Sequence, residues 1–223
     1  MINFAVIHLA LPHLLHGALI SIALAACALL IGFTGGIILA LLQTGGHPVL
    51  QKTIGMYTTI IRGTPMLIQI VFLYYLLPVI GIHISAFFSA VLAIGFNSSA
   101  YVSQIMRSGI IAINKGQIEA ARTLGIPRRD VIRYIVLPQA FRMVLPALGN
   151  ESITLIKDSS LASLIGVSEL YKEGQIVISQ TYDSVSILFA LALCYLTITS
   201  ILSYIFSYIE KRLNRHVNNS RSF

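Results

Sequence analysis

Two carboxylates in a largely apolar stretch, Glu151 and Asp158, are the residues of this chain best suited to meet a charged small molecule. They stand seven positions apart, so on a helix they fall within about 20° of each other, with Thr154 on nearly the same stripe. A carboxylate at membrane depth costs about 2.5–3.5 kcal/mol on insertion scales and persists where it finds a partner or water. A second polar stripe, Asn97, Tyr101, Gln104 and Ser108, recurs at spacings of four, three and four, again one helical face. Set against each other, the two stripes would line a wet cavity in which carboxylates answer a cation and the amide and phenol groups bind polar ends. The same residues also suit interhelical hydrogen bonds, with a salt bridge to Arg142 or Lys157.

The elements that must carry these stripes are membrane helices. Of 223 residues, 56% are hydrophobic and 10% charged, too few charges to solvate a globular surface, where about 25% is usual. No Asp, Glu, Lys or Arg precedes Lys52, and none lies between Arg62 and Arg107 or between Asp183 and Glu210. A span needs about 20 apolar residues, so these gaps predict spans over about 17–42, 60–77, 85–106 and 184–209. The first is preceded by a segment broken at Pro12, expected to lie along the interface, and Pro78 and Gly81 mark the turn between the second and third. A fifth span over 138–157 is predicted from charge rather than hydropathy. With five spans and the amino terminus outside, thirteen of the fifteen Lys and Arg fall on the inner face, including Arg62 and the tail residues Lys211, Arg212, Arg215 and Arg221. Only Lys157 and Lys172 stay outside, as the positive-inside rule favours. The net charge of +7 therefore reads as an orientation signal rather than nucleic-acid binding. Cys27 and Cys194 lie in apolar runs and imply no disulfide framework. His8, His13 and His16 flank Pro12 and read as surface residues rather than metal ligands.

The inner loop 107–137 is longer than a connection requires. Glu119, Ala120, Ala121, Arg122 and Leu124 favour a helix, Gly125 and Pro127 end it, and a second short helix can begin near Arg128. The result is a helix–turn–helix hairpin, which on composition alone also suits a solvated surface element anchored to lipid headgroups. Its sequence, Glu119-Ala120-Ala121, three residues, Gly125, nine residues, Ile135, one residue, Leu137-Pro138, resembles the signature of ATP-binding-cassette importer permeases at every fixed position. That resemblance implies an all-α fold of the type I importer permease kind. It also implies that Glu119, Ala120, Ala121, Gly125 and the adjoining Arg128 form coupling helices docked on a separate cytoplasmic ATPase.

Further runs narrow the resemblance to polar amino acid permeases. Arg62-Gly63-Thr64-Pro65-Met66-Leu67-Ile68-Gln69, Ala100-Tyr101 through Arg107 and Gly109, and Lys157-Asp158-Ser159-Ser160-Leu161 with Ile165-Gly166 and Glu169-Leu170 all fit that pattern. Gln104 departs from it, where many relatives carry Glu. No G-x-x-x-x-G-K-[ST] run is present, so no cofactor is expected on this chain, and ATP and Mg belong to the partner ATPase. The resemblance further implies an external amino-acid-binding protein, a second permease copy or paralogue as dimer partner, and a bacterial inner-membrane location. The whole chain, 1–223, is then one permease domain that is not itself an enzyme. With Glu151 and Asp158 as anchors and Asn97, Tyr101, Gln104 and Thr154 beside them, the expected cargo is a basic amino acid: arginine, lysine, histidine or ornithine. The alternatives are a permease of the same kind for glutamine or another neutral polar amino acid, and a membrane channel or receptor subunit.

Overall fold

The computed structural model describes residues 2–218, and the tail residue Arg221 lies outside them. Its elements are α1 (Phe4–Gly45), α2 (Pro48–Gly63), α3 (Met66–Val79), α4 (Ala86–Ile111), α5 (Lys115–Thr123), α6 (Arg128–Asp130), α7 (Leu137–Asp158), α8 (Leu170–Thr181) and α9 (Ser184–Asn218). A π-helical stretch, Val131–Val136, joins α6 to α7, and a 3-10 stretch, Ser159–Ile165, extends α7. Among the described residues, four helices are long and apolar enough to cross a membrane: α1, α4, the composite helix Arg128–Ile165, and Ser184–Leu213 within α9. The pair α2 and α3 meets that test only together, across a bend of 105°.

The amino-terminal segment is not broken at Pro12. Asn3 caps α1 by accepting from the backbone of Ala5 and Val6, and the helix runs through the proline. Pro12 forfeits one backbone bond, while Ala10 and Leu14 on the same helix are fully buried against Leu170, Val177, Ile187 and Leu191 of α8 and α9. At about 63 Å, judged by the helical rise, α1 is twice the hydrocarbon thickness, so its outer turns extend past the core.

Helix α1 packs along α4 through small residues. A Cβ built at Gly32 would lie 2.5 Å from Ser98 Oγ, and one at Gly36 would lie 2.5 Å from Val102 Cβ. Without hydrophobic drive between helices in lipid, such close backbone approach supplies the packing. Leu24, Ala28, Ile94, Leu155 and Ile156 fill the core between α1, α4 and α7.

The predicted span over 60–77 contains a corner. Pro65 drives Thr64 into extended backbone, φ −113° and ψ 142°, which ends α2. A residue later α3 starts in a new direction. At the other end of α3, Gly81 takes φ +80°, the turn expected there.

Helix α8 is fastened to α1 and α9 by a buried carboxylate. Glu169 accepts from the backbone of Tyr171 at 3.0 Å and Lys172 at 2.8 Å, from Ser21 Oγ at 3.2 Å and from the Tyr195 hydroxyl at 3.1 Å. Its burial pushes the carboxyl above its ordinary range, and these hydrogen bonds oppose that shift without cancelling it. One turn on, buried Glu173 approaches His13 Nδ1 at 3.2 Å, so His13 is half-exposed but not free.

Candidate functional site

The α2–α3 corner, α4 and α7 together form a cavity of about 520 Å³, within the range of small-molecule sites. Asn97 and Tyr101 from α4 and Glu151, Thr154 and Asp158 from α7 line it, so the two stripes do meet. Arg62 to Met66 supply the remaining wall. A larger hollow of about 620 Å³ near His16 and Phe87 is almost wholly apolar and offers no such chemistry.

The polar groups are held by specific neighbours. Ser98, fully buried against Gly32, donates from its hydroxyl to Glu151 Oε1 at 2.8 Å. Asn97 is buried and donates from Nδ2 to Gln69 Oε1 at 2.9 Å, which leaves its carbonyl as the free end. Thr154 returns its hydroxyl proton to the Asn150 carbonyl at 3.0 Å. The Arg62 guanidinium lies 5.0 Å from the centre of the Tyr101 ring, a cation–π contact at the corner.

Three expectations need correction. No ion pair within 4.0 Å joins Glu151 or Asp158 to Arg142 or Lys157 among the described residues. The helix explains this: Arg142 is nine residues before Glu151 and faces the opposite side, and Lys157 is turned about 100° from Asp158. Gln104 does not line the cavity, since it lies one turn beyond Tyr101, where α1 is the neighbour, and its Nε2 donates to Gln43 Oε1 at 3.1 Å. Ser108 likewise bonds its own helix, at the Ile105 carbonyl.

Arg62 is the lining residue that sequence reasoning assigned elsewhere. In sequence it reads as an inner-loop charge, because Gly63 to Pro65 open a span. The signal lay in its isolation, as the last charge before a gap that ends only at Arg107, set directly against a helix-breaking Pro65.

The loop 107–137 folds as the predicted hairpin. Gly125 takes φ +75°, the left-handed turn that reverses the chain between α5 and α6. Glu119, Ala120 and Gly125 are exposed, as is Leu124 beside them at 78%. Ala121 points the other way and is buried with Ile113, Val131, Val136 and Ala140, because it follows Ala120 by 100° on α5. It therefore seats the hairpin rather than presenting a contact. Arg128 donates from Nη2 to the Gly45 carbonyl at 3.1 Å, so it ties the hairpin to the last turn of α1.

This architecture, long apolar helices around a polar cavity with a basic hairpin at one end, suits a membrane permease. Residues 32–215 match the family described as the inner membrane component of binding-protein-dependent transport systems, and the chain belongs to that family. It is 38% identical over 201 residues to a putative glutamine transport system permease protein of Rickettsia bellii, covering 90% of this chain and 92% of that one. It is 37% identical over 206 residues to the glutamine transport system permease protein of Escherichia coli K12, covering 92% and 94%. Among solved structures, an amino acid ABC transporter crystallised with histidines matches with TM-score 0.87 at 35% identity, over 95% of this chain and 99% of that one. The methionine ABC transporter in an inward-facing form shares the fold, with TM-score 0.80 at 18% identity over 90% and 96%. The fold is that of type I importer permeases, and the chain is an amino acid ABC permease of the inner membrane. As in the rest of the family, ATP hydrolysis belongs to a partner ATPase and not to this subunit.

Proposed function

We propose that this permease passes glutamine or a similar neutral polar amino acid through the cavity at the α2–α3 corner. The supporting observation is that Arg62 lines the same cavity as Glu151 and Asp158. The expectation of a basic cargo weighed two carboxylates without Arg62. With Arg62 beside the two carboxylates, the cavity lining carries both signs of charge. Such a site suits a zwitterion: its α-carboxylate answers Arg62, its α-ammonium answers Glu151 or Asp158, and a side-chain amide meets Asn97 and Tyr101. The two closely similar relatives described as glutamine permeases support the same reading.

A second reading, a basic amino acid, is favoured by one observation: among the residues that line the cavity itself, carboxylates outnumber guanidinium groups two to one. The test is uptake by proteoliposomes holding the permease, its ATPase and its binding protein, across glutamine, asparagine, histidine, arginine and lysine. Glutamine uptake at least tenfold above arginine supports the first reading, and the reverse order replaces it with the second.

The rest of the assembly follows the family. The chain acts as a single permease domain crossing the bilayer five times, the bent pair counting as one passage. A second permease, identical or paralogous, completes the path. The amino terminus faces outward, towards the binding protein. The hairpin faces the ATPase through Glu119, Ala120 and Gly125. Taking Arg62 and Arg142 out of the inner-loop tally leaves the orientation unchanged, since only Lys157 and Lys172 fall on the other side.

A further inference from the structure

A corner inside a membrane protein leaves backbone groups without partners. The last four carbonyls of a helix have no intrahelical donor, and at membrane depth they need one from elsewhere. At the end of α2, Thr64 Oγ1 donates to the Ile60 carbonyl at 3.0 Å. Further acceptors of the corner meet one side chain of α3. Gln69 Nε2 reaches the Ile61 carbonyl at 2.7 Å, the Thr64 carbonyl at 3.2 Å and Thr64 Oγ1 at 2.6 Å. Its other end, Oε1, accepts from Asn97 Nδ2 of α4 at 2.9 Å. One amide thus joins the end of α2, the start of α3 and the middle of α4. Arg62 lies within this knot, between Ile61 and Thr64, and stands over Tyr101 one turn beyond Asn97 on α4.

We propose that Gln69 is a positioning residue for the cargo site: its amide clamps the α2–α3 corner onto α4 and so fixes Arg62 in the cavity wall. This rests on the proposed cargo site. Gln69 does not itself line the cavity and acts through Arg62 and Asn97. Only a carboxamide suits the position. Glu would keep an acceptor for Asn97 but would set a carboxylate against two carbonyl oxygens, and Leu would remove both the donor to the Ile61 and Thr64 carbonyls and the acceptor for Asn97. A site residue displaced by about 1 Å can cost up to a hundredfold in a positioned reaction, and the same geometry governs binding here.

The experiment uses the assembled permease–ATPase complex in detergent, with equilibrium binding of radiolabelled glutamine and arginine as the probe. Gln69→Glu and Gln69→Leu should each weaken binding of the preferred amino acid by about tenfold or more, in complexes that still co-purify with the ATPase at native yield. In an Arg62→Ala background the same substitutions should add less than about twofold, because they act through the guanidinium already removed. A second readout follows the corner directly. Spin labels at Met56→Cys and Phe72→Cys, both positions 62% exposed, in a Cys27→Ser, Cys194→Ser chain should give one narrow distance, broadened by Gln69→Leu. If these variants do not assemble, Gln69→Asn, which keeps the amide one methylene shorter, must show the same weakening and broadening. Native binding and a narrow distance in the Gln69 variants, with Arg62→Ala and Glu151→Gln still defective, overturn the proposal and leave the cargo site standing. Additive losses with Arg62→Ala overturn it too. Native binding in Arg62→Ala and Glu151→Gln as well removes the cargo site, and the proposal with it.

Discussion

Replacing Glu151 by Gln removes one charge from the cavity and almost nothing else. Gln retains a carbonyl oxygen that can accept the Ser98 hydroxyl, now 2.8 Å from Glu151 Oε1, so the α4–α7 contact survives and the complex should assemble normally. What is lost is attraction for a cationic group of the cargo. At 4 Å and an effective dielectric of 20 the gross Coulomb energy is about 4 kcal/mol. The net worth of a charge-assisted hydrogen bond, after desolvation, is about 1.5–3 kcal/mol. That corresponds to a roughly 10- to 150-fold weaker affinity. Binding of glutamine and arginine to the purified complex, and their uptake by proteoliposomes, should both fall within that range. Ser98→Ala is the control: it leaves the charge but frees its orientation, so its effect should be smaller. Glu151→Gln binding both amino acids within twofold of native refutes a charge contact between Glu151 and the cargo.

Gly125→Val places a β-branched residue at φ +75°, where an L side chain costs about 1–2 kcal/mol; uptake per ATP hydrolysed should drop while the rate of hydrolysis changes less, and a native ratio argues against a coupling role for the hairpin tip. Gly36→Val drives a branched side chain into Val102, so overpacking of about 1–3 kcal/mol should lower the melting temperature by several degrees, read by differential scanning fluorimetry. Glu169 is raised above its ordinary value of 4.5 by burial, so it favours folding while protonated and loses that advantage as pH rises through its elevated value. The melting temperature of Glu169→Gln relative to native should therefore climb with pH above 4.5 and then level off; a difference that stays flat with pH means burial does not dominate at this carboxyl.

The helices were legible because lipid leaves few solutions. Charge-free runs long enough to span can only be helical, and the hairpin announced itself by Gly125 and Pro127. The stripes on α4 and α7 were legible for the same reason: a period near 3.6 places Asn97 with Tyr101, and Glu151 with Asp158, whatever surrounds them. Periodicity does not say which neighbour a stripe meets. Gln104 belongs to the same stripe as Asn97, yet one turn further along the wall is α1 and Gln43 rather than the corner. Ala121 shows the converse: it belongs to the signature, but the helical period turns it into the hairpin's own core.

The place of Arg62 is hidden in the sequence because its charge and the helix break at Pro65 have to be read together. A positive residue beside a span scores as a loop charge whenever the span is assumed straight. Pro65 makes that assumption fail, because it forces Thr64 out of the helical region and opens a corner of 105°. An opened corner at membrane depth must line a cavity or be buried in protein, so the residues flanking it are drawn to the polar interior. Arg62 follows from that constraint, and so does Gln69, which donates to the Ile61 and Thr64 carbonyls of the corner. The guanidinium then changes the reading of the carboxylates. Without it they call for a cationic cargo; with it, the cavity offers both charges of an amino acid a partner.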